Sequence, residues 1–201
     1  VIGKGDVQWM TAGGGIIHEE FHSPGFAQTG GTLEMVQLWV NLPAEHKMTQ
    51  PGYQPITAAQ IPVVDLPGGV GSVRVIAGAW GDAQGPARTF SPMRVLDLRL
   101  DAGKAVDLPQ PAGWTTLVVV ASGSASVNGA EPVTGPAVVT LSAAGEGVNV
   151  QADRDARLLL LAGEPIDEPV VGYGPFVMNS QQQIVDAIND FNSGRFGQGL
   201  N

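Results

Sequence analysis

The chain has 201 residues, of which 43% are hydrophobic and only 14% charged, with a net charge of −9 and no cysteine. A sizeable core can be buried in one or two domains, and disulfide frameworks, zinc-finger thiolates and thiol nucleophiles are excluded. The acidic balance disfavours binding to a phosphate backbone, and no apolar run approaches the roughly 18 residues that a membrane-spanning helix needs.

Glycine (28) and proline (15) fall between short Val- and Leu-rich runs, not in a repeat, which is the pattern of turns between strands. Val1 is not an initiator Met, and no basic region with an apolar signal core follows it. The first six residues, Val-Ile-Gly-Lys-Gly-Asp, read as the end of a strand running into a turn. Strands need partners, so further sequence is expected before Val1. Residues 6–11 form a short strand, the run Gly13-Gly14-Gly15 a tight bend, and Ile16-Ile17-His18 the start of the next strand. Residues 32–42 alternate in part and suit a central strand buried on both faces. The stretch 43–55, with Pro43, Pro51, Gly52 and Pro55, is a loop that can leave a domain. Short strands follow at 61–64, 71–77, 94–100, 115–121, 124–128, 137–141, 147–152 and 156–161. Their spacing of roughly 8–12 residues belongs to an antiparallel sandwich or barrel.

A helix is expected over 181–192. Ser180 and Gln183 make a capping-box start, Ile184, Ile188 and Phe191 form an apolar stripe, and Gly194 suits the position just past the end. The stripe reads as a face packed on a sheet.

Candidate chemistry is sparse. The histidines are His18, His22 and His46. On a strand, His18 and Glu20 share a face, because side chains alternate with period two. An imidazole beside a carboxylate supplies two donors of the kind that non-haem iron accepts; a His-x-Glu pair by itself is more often a solvated surface pair. His22 shares that face only if the strand continues past Pro24 and Gly25, and His46 reads as solvated. The glycine run lacks the Lys-Ser/Thr of a phosphate loop, no serine sits in a nucleophile elbow, and Trp9, Trp39, Trp80 and Trp114 are dispersed as core aromatics are.

The spacing from Gly5 through Thr11, Ala12 and Gly13 to His18 resembles the second motif of the cupin superfamily, with Thr11 in place of its Pro and the histidine two residues late. The first motif, with its His-x-His pair, has no counterpart here. A second set of cupin spacings runs from Gly103 through Pro109, Pro111 and Thr116 to Gly123, and from Gly135 to Glu146. Proline side chains cannot bind a metal, so this second barrel reads as structural and metal-free.

Longer stretches are specific: Gly-Asp-Val-Gln-Trp-Met-Thr-Ala-Gly (5–13), Ile-Ile-His-Glu-Glu (16–20), Leu-Trp-Val-Asn-Leu-Pro (38–43), Leu-Ala-Gly-Glu-Pro (161–165) and Gly-Pro-Phe-Val-Met-Asn (174–179) closely resemble the pirin family. The resemblance implies an all-β bicupin: two cupin barrels, with a C-terminal α-helix packing on the first. In this chain 1–52 would be the remainder of the metal-type barrel, joined by 177–201, and 53–176 the degenerate one. It implies a site of three His and one Glu, of which His18 and Glu20 are present and two further His are expected upstream of Val1, in a segment that can associate with this chain. Iron is the implied metal, and Glu20 can serve as ligand or as proton acceptor. The implied activity is that of a quercetin 2,3-dioxygenase acting with dioxygen on a flavonol-like phenolic. The alternative is a metal- or redox-responsive regulator working through protein partners. A cytoplasmic monomer is expected, without direct nucleic-acid or membrane binding.

Overall fold

The computed structural model describes residues 2–196. Its elements, in chain order, are β1 (Val7–Thr11), α1 (Pro24–Thr29), β2 (Gly52–Ile56), β3 (Val63–Asp65), β4 (Gly71–Ala77), β5 (Ala79–Trp80) and β6 (Ala83–Gln84). They continue with β7 (Met93–Leu100), β8 (Ala105–Pro109), β9 (Thr115–Val127), β10 (Val133–Thr134), β11 (Ala137–Thr140), β12 (Gly147–Gly163), β13 (Val171–Tyr173), β14 (Phe176–Met178) and α2 (Gln181–Asn192). The chain is mostly β with a cupin fold, and divides into two compact units: Ile56–Ile166, and Val1–Pro55 together with Asp167–Asn201.

In the unit Ile56–Ile166 an eight-stranded antiparallel sheet has the order β10-β9-β12-β7-β4-β3, with β11 also on β9 and β8 also on β12. The sequence splits β9 and β12 into two short strands each. In the structure each is one long strand that bends midway and serves two neighbours. The first half of β9 pairs with β11, Leu117 opposite Thr140, and the second half with β10, Ala125 opposite Val133. The bend is marked by register shifts between β9 and β12 around Arg154 and Arg157. At that point Gly123 holds φ +84°, and a Cβ there would stand 2.1 Å from the Asp155 carbonyl oxygen. Only glycine allows so close an approach in that conformation.

The bend folds the sheet around one core. Leu96, Leu98 and Leu100 of β7, Val118 and Val120 of β9, and Leu158 and Leu160 of β12 meet Val106 and Leu108 of β8 there. Each such leucine or valine contributes roughly 1.5–3 kcal/mol by leaving water. On the β4–β7 ladder Arg74 Nη1 donates to Asp97 Oδ2 at 2.7 Å, a pair shielded from solvent. β8, β10 and the small β5–β6 hairpin have no counterpart among the strands expected from the sequence.

In the other unit β1 pairs with β2, and β13 with β14 in a hairpin turning at Gly174. The helix expected over 181–192 is present as α2 and packs on β13 and β14. Ile184 is buried, Ile188 is half-buried, and Phe191 is 49% exposed, its ring edge-on to Phe176 and Phe196. Ser180 Oγ accepts from Gln183 N, while Gln183 Oε1 accepts from Asn179 N, one residue earlier than a capping box requires. At the other end Arg195 N donates to Asp190 O and Gly194 N to Phe191 O, the paired bonds of a Schellman stop. The part of the 177–201 segment beyond Phe196 lies outside the described residues.

The stretch 32–42 departs from expectation. It forms no strand, and residues 31–40 are all exposed, with Leu33, Met35, Trp39 and Val40 turned to solvent. Alternation identifies a face, but a strand exists only where a neighbour takes up its backbone N–H and C=O groups. Among the described residues no strand pairs with this stretch.

Candidate metal centre

The glycine run is the bend the sequence implies. Gly15 N donates to Ala12 O at 2.8 Å and Gly14 N to Thr49 O at 2.9 Å. Gly13, at φ +49°, lies so close to Thr49 that a Cβ would be 2.1 Å from that carbonyl oxygen. The Phe196 ring lies against the open side of Gly15. The bend therefore fixes the chain three residues before His18.

Beyond it, the expected strand is absent. Residues 16–23 have no regular structure, and His18, Glu19 and Glu20 are exposed. Period-two alternation thus does not operate at His18 and Glu20, because no neighbouring strand holds that backbone extended. Ser23 instead caps the short helix α1, its Oγ accepting from Phe26 N at 3.3 Å, and the His22 ring lies 5.2 Å from that of Phe26. His46 sits in a 3-10 turn beside Glu45, at 3.4 Å.

The imidazole of His18 and the carboxylate of Glu20 have the right chemistry for a first-row divalent metal, but they are two donors where three or four are usual. Among the described residues no group of three His, Cys, Asp or Glu is placed to hold a metal. The donors present are thus an incomplete set.

A polar cluster that the sequence reading missed lies nearby in the chain. Lys47 is 5% exposed and donates to Asn41 Oδ1. Burial pushes its ammonium below the usual lysine range, opposed by the charge of Glu168. Glu168 Oε2 also accepts from Ala44 N at 2.7 Å and Asn179 Nδ2 at 3.1 Å. This ties the 41–47 loop to the stretch leading into α2. Nothing in the local sequence, Glu45-His46-Lys47-Met48, marks this lysine as buried.

In the other unit, three of the four side chains that the cupin spacing brings to the ligand positions are not inward ones. Pro109, Pro111 and Glu146 are exposed. Alternation along β8 sends Val106 and Leu108 inward, and Gln110 follows them, 7% exposed. Thr116 does face inward, 4% exposed. The spacing is offset by one residue from the pleat, so Gln110 takes the interior place assigned to a proline.

Comparison with known proteins settles the family. Residues 95–197 match the family described as the pirin C-terminal cupin domain, and residues 1–40 match that described as pirin. A Pseudomonas aeruginosa protein, named as a provisional quercetin 2,3-dioxygenase, is 54% identical over 97% of this chain and 68% of its own length. The chain belongs to the pirin family. Pirin-like protein 2 of Arabidopsis thaliana is 38% identical over 96% of this pirin and 60% of its own length. The crystal structure of a quercetin 2,3-dioxygenase from Acinetobacter baumannii superposes with a TM-score of 0.93 at 52% identity, covering 98% of this pirin and 68% of that chain. The chain spans about two thirds of the length of these relatives. No helix among its described residues is long and apolar enough to cross a membrane.

Proposed function

We propose that this pirin belongs to a metal-dependent dioxygenase of the quercetin 2,3-dioxygenase type, acting with dioxygen on a small phenolic of the flavonol class. The reading rests on the likeness to the Acinetobacter baumannii enzyme, which extends over nearly the whole chain. In it, His18 and Glu20 supply two of the metal's donors, and the others come from outside the described residues. Iron is the proposed metal. The Glu20 carboxylate is also the proton acceptor for the substrate's phenolic hydroxyl, a task that suits an exposed carboxylate within reach of a bound phenol. The reading assigns 1–52 and 177–201 to the metal-type domain and 53–176 to a degenerate cupin that takes no metal, in a cytoplasmic protein.

The test is anaerobic reconstitution with Fe(II) of protein carrying the full donor set, followed by oxygen uptake with quercetin. Iron-dependent uptake is expected, with both iron content and uptake depressed in His18→Ala and unchanged in His46→Ala. Equal iron retention in wild type and His18→Ala would overturn the ligand assignment. Iron binding without uptake would turn the reading toward regulation through protein partners.

A further inference from the structure

The unit Ile56–Ile166 carries a depression at one end of its barrel, where the loop after β8 meets the loop before β12. Backbone bonds join the two loops: Gln110 N donates to Glu146 O at 2.9 Å, and Gly113 N to Ala143 O at 3.0 Å. The space is about 60 Å³, enough for roughly four waters or a ligand of a few heavy atoms. Its lining sets Trp114, Pro111 and Leu141 beside Gln110 and Thr116.

Gln110 is the residue without an internal explanation. Its side chain is buried, and Nε2 has no hydrogen-bond partner. The other end of the amide is engaged: Arg94 Nη1 lies 3.4 Å from Oε1 and donates to the Pro109 carbonyl at 2.7 Å. The guanidinium can only donate, so it fixes the amide with oxygen toward Arg94 and the NH₂ group turned away. A buried donor without an acceptor is costly and calls for one. Thr116 is the second donor. Its hydroxyl has a long bond, 3.4 Å, to the Trp114 carbonyl, and is free to exchange it for a better acceptor.

Charge selects the ligand class. No Asp, Glu or His lines the depression, so a cation finds no charged donor there. The Arg94 guanidinium stands 5.9 Å from the Trp114 ring centre, behind the amide, and favours an anion. We propose that this barrel end binds a small carboxylate. Its oxygens accept from Gln110 Nε2 and Thr116 Oγ1, and its carbon body lies against Trp114 and Leu141. Gln110 lines the depression, and a shift of its side chain that keeps Oε1 on Arg94 presents Nε2 to the ligand. The site involves neither His18 nor Glu20 and stands independently of the dioxygenase reading.

The experiment is ¹H–¹⁵N NMR of the labelled chain, titrated with acetate and propionate and, in parallel, with acetamide and sodium chloride. Saturable shifts of the Gln110 side-chain NH₂ and the Trp114 indole N–H are expected with the carboxylates, while the Trp80 indole stays fixed. Acetamide should bind at least tenfold more weakly, and the response should fall at least tenfold in Gln110→Met. Thr116→Val, which keeps the side-chain shape, carries the same expectation and serves if Gln110→Met does not fold. Absence of saturation, an equal response to sodium chloride, or undiminished binding in the variants would overturn the proposal.

Discussion

Replacing Gly123 by alanine tests whether the bend shared by β9 and β12 governs the stability of the barrel. Two costs arise at this position. An L-residue forced to φ +84° pays about 1–2 kcal/mol for its Cβ. The added methyl would also stand 2.1 Å from the Asp155 oxygen and 2.8 Å from the Ala156 Cα. Both neighbours are backbone in β12, so relief requires the strands to part, at the expense of one or two ladder hydrogen bonds worth about 1 kcal/mol each. The expected loss is about 2–4 kcal/mol, a large share of a typical 5–15 kcal/mol. Gly129 provides the control: its φ is +73°, but nothing lies within 4 Å of a Cβ there, so alanine should cost only the conformational part, about 1–2 kcal/mol. Urea unfolding followed by circular dichroism and tryptophan fluorescence measures both. With a slope of roughly 2 kcal/mol per molar, Gly123→Ala should lower the midpoint by about 1–2 M and Gly129→Ala by about half as much. Equal losses in the two variants would refute the argument that the contact with Asp155 matters.

Other outcomes follow from the unit containing α2. Ile184→Ala, at a position 1% exposed, should cost about 2–4 kcal/mol in the same assay, while Val185→Ala, on the exposed side of the helix, should cost under about 0.5. Ser180→Ala removes the acceptor for Gln183 N and should cost about 1 kcal/mol, with Ser180→Asp retaining most of it. Lys47 has its folded pKa lowered by burial, so between that value and the ordinary one the unfolded chain binds more protons. Stability from this group therefore rises with pH across that alkaline window, and Lys47→Met should flatten the slope in pH-dependent urea unfolding.

The sequence makes those elements legible whose pattern and packing agree locally. The 71–77 strand appears as Gly71–Ala77 because its alternation coincides with a ladder on β7. The helix appears because Ser180, the Ile184 stripe and Gly194 are each sufficient signals over short range. Where pairing decides, the pattern fails. His18 and the 32–42 stretch carry strand-like residues but have no strand neighbour among the described residues, so the shared strand face inferred for His18 and Glu20 has no strand to rest on. Gln110 was hidden for a different reason. Spacing counted from Gly103 falls on Pro109 and Pro111, yet the pleat set by Val106 and Leu108 points the intervening residue inward. The family itself was legible, since the motif stretches span both units.

The two long strands also bear on how the barrel comes apart. β12 by itself pairs with β7, β8 and β9, joining segments up to seventy residues distant, such as Met93 to Gly163 and Pro109 to Gly147. Loop closure on that scale must precede the contacts that reward it, which makes for slow folding. It also leaves little that can open alone: releasing β12 strips a partner from three strands at once. Amide protons of Val120, Leu158 and Leu96 should therefore exchange with solvent through a single opening of common free energy, as one cooperative unit.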